Sequence, residues 1–263
     1  MIRVIMLVFI LSSCTNGGNS LDKNQSIGYG YRLFKNTPVW ELAQSVAKSD
    51  TISIEGFLKS QKQFVDYTDP IFGQTLLMDA VYNRNYTSVK TLLKFGADPN
   101  KQSLKDKESS LMMAVDLGPA ERHDPSPDSR ILKLLLKYGG NPNDMQDGDS
   151  MPKGRRNYGT PLTFACLASI PEYVRILVDS GANINLYGKG GFSPLFAAIV
   201  SKSPEIVLYL LKHGADYKRP LLTTVDGKKR YILDIIDEGW DFDKSSHEFK
   251  EESLIKEFIK AGL

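Results

Sequence analysis

Apolar residues recur every three to four positions along most of this chain, interrupted at near-regular intervals by glycine and then by Asn or Asp. Val174, Leu177 and Val178 make one stripe, and Ile206, Leu210 and Leu211 make another. That spacing predicts helices with a single buried face. Each stripe stops in the same way: LLKFGADPN at 92–100, LLKYGGNPN at 135–143, LVDSGANIN at 177–185 and LLKHGAD at 210–216. A glycine here ends a helix in a left-handed conformation that costs another residue about 1 kcal/mol. Asn183 or Asp216, just beyond, can close a turn through its side chain.

Upstream of each stop lies a second recurring start: TLLMDA at 75–80, SSLMMA at 109–114, TPLTFA at 160–165 and SPLFAA at 193–198. Thr160 and Ser193 suit a helix N-terminus, where a side-chain oxygen contributes about 1 kcal/mol. Pro161 and Pro194 follow at the first helical position, where no N–H is needed. Leu162 and Ala165, like Leu195 and Ala198, lie three apart and point to one side. Thr75 to Gly96, Thr160 to Gly181 and Ser193 to Gly214 each span 21 residues, and Thr160 to Ser193 spans 33.

These starts, stops and the 33-residue period resemble the ankyrin repeat over about residues 37–263. The resemblance implies an all-α solenoid of stacked antiparallel helix pairs with hairpin fingers. Within 29–263 it gives an N-terminal cap unit at 37–60, its first helix capped by Thr37. Repeats follow at about 73–101, 107–143, 158–185 and 191–218, then a divergent unit at 229–263. The family's usual His is replaced by Met78, Met112, Thr163 and Phe196, so the turn-to-turn bonding that His provides is not expected. Three stretches read as insertions: 116–129, 144–158 and 237–252.

The first 14 residues, MIRVIMLVFILSSC, do not fit the repeat. Arg3 precedes eight apolar residues, too few to span a bilayer, and then two serines and a cysteine. Residues 1–13 are expected to be a cleaved signal peptide. Leu11–Cys14 resembles the bacterial lipobox, which implies a lipid on Cys14. Residues 14–28 would be the lipidated cysteine and a flexible tether. The expected place is the bacterial envelope, on the outer membrane facing the periplasm.

Two cysteines cannot frame a disulfide scaffold, and a net charge of +2 implies no general attraction to nucleic acid. Cys166 stands where the repeat wants a small inward residue and reads as a core thiol. His123, His213 and His247 are scattered, so no paired His suggests a metal. NDMQDGDS at 143–150 lacks the ligands of a calcium loop, and YGKGGFS at 187–193 lacks the ending of a phosphate loop. No catalytic residue, metal or cofactor is expected. An enzyme using His247 and the carboxylates of 237–252 is the weakest reading.

Function is therefore expected on the surface. The fingers carry +1 at 100–109, 0 at 143–158, +1 at Lys189 and +4 at 217–230. Arg155, Arg156, Tyr158, Tyr187, Lys189, Phe192, Tyr217 and Arg219 are the candidate partner-binding residues, a mixture suited to interface hot spots. The partner would be a protein, with an acidic surface suited to these fingers. The expected chain is a monomer when free that touches the membrane only through its lipid. Its architecture resembles lipid-anchored immunity proteins that neutralise phospholipase toxins delivered by type VI secretion. An envelope scaffold or maturation factor is the alternative.

Overall fold

A computed structural model describes residues 30–104, 107–115, 128–145, 159–188, 192–224 and 226–262. Residues 1–29, with the expected signal peptide, Cys14 and the expected tether, and residues 116–127 and 146–158 lie outside these residues. What is described is an all-α stack of helix pairs. The pairs are α1 (Trp40–Ala47) with α2 (Thr51–Ser60), α3 (Leu76–Tyr82) with α4 (Tyr86–Lys94), and α5 (Ser110–Val115) with α6 (Arg130–Lys137). Then come α7 (Pro161–Leu167) with α8 (Pro171–Asp179), α9 (Pro194–Val200) with α10 (Pro204–Lys212), and α11 (Ile232–Gly239) with α12 (His247–Ala261). First helices pack on first helices in chain order, α1 through α11. One hydrophobic core runs the length of the stack.

The local chemistry follows the repeat. The side chains of Thr75, Thr160 and Ser193 accept from the backbone N–H of Met78, Thr163 and Phe196 at 3.1–3.2 Å. Gly96, Gly139, Gly181 and Gly214 all have φ between 88° and 94°, the left-handed region predicted for the helix stop. Leu162, Ala165, Leu195, Ala198, Val174, Leu177, Ile206, Leu210 and Leu211 are buried. Val178 is only half-buried.

Two local expectations are corrected. The first helix begins at Trp40 rather than beside Thr37. The Thr37 hydroxyl donates to Phe34 O at 2.6 Å, which ties it to the preceding turn, Tyr31–Phe34. The insertion expected at 237–252 shrinks to 240–246: α11 runs to Gly239 and α12 starts at His247. Ser246 caps α12 by accepting from Phe249 N at 3.1 Å, so the charged run HEFKEE is the helix's first turns. Its Glu251 and Glu252 are buried beside His247 and Lys256.

Paired strands occur, among the described residues, in the last finger, where β1 (Leu222–Thr223) lies antiparallel to β2 (Lys229–Arg230). Earlier fingers close with single bridges, Thr68 to Thr75 and Gln102 to Ser109.

Candidate functional site: the fingers and the first-helix wall

The fingers are held by a ladder of asparagines. Asp98, Asn141, Asn183 and Asp216 each accept, through the side chain, from the N–H two residues on, at 2.9–3.1 Å. The second asparagine then reaches forward to the next repeat. The Asn100 amide donates to Gly139 O and its Oδ1 accepts from Asn141 N, at 2.9 and 2.7 Å. Asn143 makes the same pair with Gly181 and Asn183 at 3.0 and 2.7 Å. Asn185 makes it with Gly214 and Asp216 at 3.0 and 2.8 Å. One side chain thus satisfies the carbonyl of the helix-stop glycine and fixes the next turn. These bonds join neighbouring turns where the His would have done so. Lys218 stands at the ladder's next position, so it ends there.

Because every link joins the same end of successive pairs, the fingers leave from one edge of the stack. Two tight approaches depend on glycine. A Cβ on Gly73 would lie 2.3 Å from Leu104 Cγ, and one on Gly159 would lie 2.4 Å from Gly188 Cα. The first approach is completed by Leu104 N donating to Phe72 O at 2.9 Å.

Beside the fingers, the first helices present a wall. Seven residues past each cap stand Tyr82, Leu167 and Val200, with Tyr82 and Val200 exposed and Leu167 half-buried. Phe196 and Phe192 lie alongside, ring centroids 5.1 Å apart. Within the wall, Asp79 on α3 is only 2% exposed. Burial pushes its carboxyl up to about 6, against the lowering effect of Asn83, whose side-chain N–H donates to Asp79 Oδ1 at 3.1 Å. Burial likewise raises Asp66 and Asp144 in the fingers.

Of the expected partner-binding residues, Arg155, Arg156, Tyr158 and Lys189 lie outside the described residues. Tyr187 and Phe192 are half-buried on the finger before α9. The Tyr217 ring meets Phe258 of α12 edge-on at 6.3 Å, with Lys218 Nζ 5.7 Å from its centre. Arg219 is exposed and pairs with Asp216 at 2.8 Å. The structure therefore brings Tyr217 and Arg219 together at the last finger and leaves Tyr187 and Phe192 on the one before it. Sequence reasoning did not single out Ile71, Leu104, Asp79 or the forward reach of the ladder.

The other chemistry is modest. Cys166 is fully buried, and burial pushes its thiol up, away from the reactive thiolate. His213 bonds Tyr209 O through Nδ1 at 2.7 Å, and exposed His247 pairs with Glu251 at 3.4 Å. Among the described residues no group of three His, Cys, Asp or Glu could hold a metal, and no helix is long and apolar enough to cross a membrane. Open grooves of about 320 Å³ between α1 and α2, and about 410 Å³ between α6 and α8, have polar and lysine-rich rims.

Family models for ankyrin repeats match residues 72–104 and, as three copies, residues 120–220. Protein PhlB of Serratia liquefaciens is 30% identical over 196 residues, 74% of this chain and 77% of that protein. The E3 ubiquitin-protein ligase KEG of Arabidopsis thaliana is 31% identical over 42% of this chain, which is 6% of that protein. Among solved structures, an ankyrin repeat domain from Acinetobacter baumannii AYE superposes with a TM-score of 0.61 at 26% identity. That match covers 83% of this chain and 96% of that one.

Proposed function

Because the chain belongs to the ankyrin-repeat family, we propose that it is a non-enzymatic binding protein, held in a bacterial envelope by a lipid on Cys14, that grips and neutralises a toxin of the phospholipase kind. Ankyrin repeats indicate a protein–protein interaction module. The observation that carries the binding reading is the edge of ladder-held fingers beside an apolar wall, two rigid surfaces that a partner can meet without reordering them. The envelope part rests on the sequence of residues 1–14, and the toxin part on the likeness in architecture to lipid-anchored immunity proteins. The outer membrane, periplasmic side, is the proposed place.

The test is a capture experiment. A tagged chain starting at Thr15 is mixed with envelope extracts of its own cells and with secretions of competing cells, and what stays bound is identified. A lipase supports the reading, and charge reversal at Arg155, Arg156 and Arg219 should then weaken its binding. A resident, non-toxic envelope enzyme would replace immunity with a scaffold or maturation role.

A further inference from the structure

The last helix packs on α10 and carries two acids into that seat. Glu251 and Glu252 of α12 are buried, on the side of the helix that also holds fully buried Ile255. The two acids are not matched alike. Glu252 meets Lys256 at 2.7 Å, and Lys256 also meets Asp237 of α11 at 2.7 Å, so a permanent cation serves both. Glu251 has one ion-pair partner among the described residues, His247 at 3.4 Å, and that ring is a cation only when protonated. Glu205 of α10 and Glu248 of α12 act on Glu251 as like charges. Arg175 of α8 is taken by Glu205. The seat therefore holds a buried carboxylate whose counter-charge depends on a proton. The same helix supports the last finger, because Phe258 meets the Tyr217 ring edge-on at 6.3 Å.

We propose that α12 is a pH-sensitive latch: it seats on α10 while Glu251 and His247 hold a proton between them, and it releases that seat, with its support of the last finger, as the proton is lost. The inference rests on neither the anchoring nor the toxin reading. Burial raises the Glu251 carboxyl above its ordinary 4.5, against the lowering effect of His247, and Glu205 and Glu248 add to the rise. The seated helix thus binds the proton more tightly than the freed helix does. Seating is therefore fullest below 4.5 and weakens as pH rises through the raised value. The hinge lies at 241–246. Trp240 fastens the end of α11 to α9 through Ile199 O at 3.1 Å, and Ser246 starts α12 by capping Phe249 N. The Lys256 pair with Asp237 is partly exposed and ties α12 to α11 only weakly. Helix α12 can thus leave α10 while α11 stays in place. Loss of the Phe258 contact then loosens the base of the finger that carries exposed Lys218, Lys228 and Lys229.

The test is amide hydrogen exchange of the full chain, read by mass spectrometry on α12 and, as an internal reference, on α8. Solution pH changes the intrinsic rate of both alike, so the ratio of the two isolates the latch. From pH 5 to pH 8 the ratio of α12 to α8 exchange should rise about fivefold in wild type. Glu251→Gln stays neutral throughout. It should hold the ratio nearly constant and slow α12 about fivefold at pH 8. Glu257→Gln removes an exposed charge from the same helix and should leave the wild-type rise in place. An α8 that exchanges no faster than in wild type shows the variants folded, and the wild-type ratio is read without any variant. A flat wild-type ratio would overturn the proposal, as would a Glu251→Gln chain whose α12 exchanges faster than wild type at pH 8. So would a slowing that α8 shares equally, which would make Glu251 a contributor to global stability rather than a latch.

Discussion

Asp79→Asn should make this protein more stable, and only above a certain pH. Asp79 sits in the middle of α3 with 2% of its surface exposed, and its one side-chain donor is Asn83. Desolvation outweighs that hydrogen bond and raises the carboxyl from 3.8 to about 6. The folded state therefore holds its proton more tightly than the unfolded chain does. Between pH 4 and pH 6 the folded state binds more protons, so stability falls as pH rises through this window and levels off above it. Raising the carboxyl from 3.8 to about 6 corresponds to about 3 kcal/mol at neutral pH. Asparagine has the same shape, stays neutral and can still accept from Asn83.

The assay is urea unfolding of wild type and Asp79→Asn at pH 4 and pH 7.5. Other carboxylates titrate in both proteins, so the difference between the two isolates Asp79. The variant should exceed wild type by about 2–3 kcal/mol at the higher pH and by close to nothing at the lower. An equal difference at both pH values, or a variant less stable at pH 7.5, would refute the argument. The second outcome would mean that the carboxylate finds a compensating charge in the folded state.

The ladder and the caps yield further expectations. Asn143→Ala removes two bonds between neighbouring repeats and should cost about 1–2 kcal/mol, broadening the urea transition as coupling across that junction weakens. Ser110→Pro should stabilise by about 0.5–1 kcal/mol. It occupies the place of Pro161 and Pro194 after a capping residue, and its buried hydroxyl has no hydrogen-bond partner. Calorimetric midpoints would check it, and a lowered midpoint would count against the equivalence of the repeats. Lys202→Gly should gain up to about 1 kcal/mol, because Lys202 is held at φ 52° in a turn where glycine carries no penalty. A lower unfolding midpoint would show that its side chain packs more than its exposure suggests.

The caps, the helix stops and the buried stripes were legible because each is a local rule: an oxygen before a helix, a glycine after it, apolar residues three or four apart. The ladder was half legible. Asn183 closing its own turn is a two-residue event, but Asn143 meeting Gly181 is set by how one repeat lies on the next, a geometry that no spacing within a repeat reveals. The run HEFKEE stands in the stretch that reads as an insertion, because its charge hides a helix whose acids face Lys256 and His247. The exposure of Ile71 (64%) and Leu104 (66%) is hidden for a related reason. TDPIFGQ at 68–74 contains an Asp, a Pro and a Gly around two apolar residues, the composition of a pinned turn, and that composition does not tell an exposed Ile from a buried one.

The end of the stack shows what replaces the ladder once its asparagine is gone. With Lys218 at the next rung, the last pair is held instead by side chains of another kind. Trp240 Nε1 donates to Ile199 O at 3.1 Å, which joins α11 to α9. Lys256 bridges Asp237 and Glu252, both at 2.7 Å, and these carboxylates hold its ammonium above the usual lysine range. Arg230 reaches Glu238 at 2.6 Å. Amide bonds between repeats resist salt, whereas charge pairs at a partly exposed junction are screened by it. The last pair therefore adds a salt-screened cluster at the junction that the asparagine ladder does not reach. The C-terminal pair carries the basic finger next to Tyr217 and Phe258, so the part of the edge best suited to an anionic or acidic surface is also the part whose seating most depends on ionic conditions.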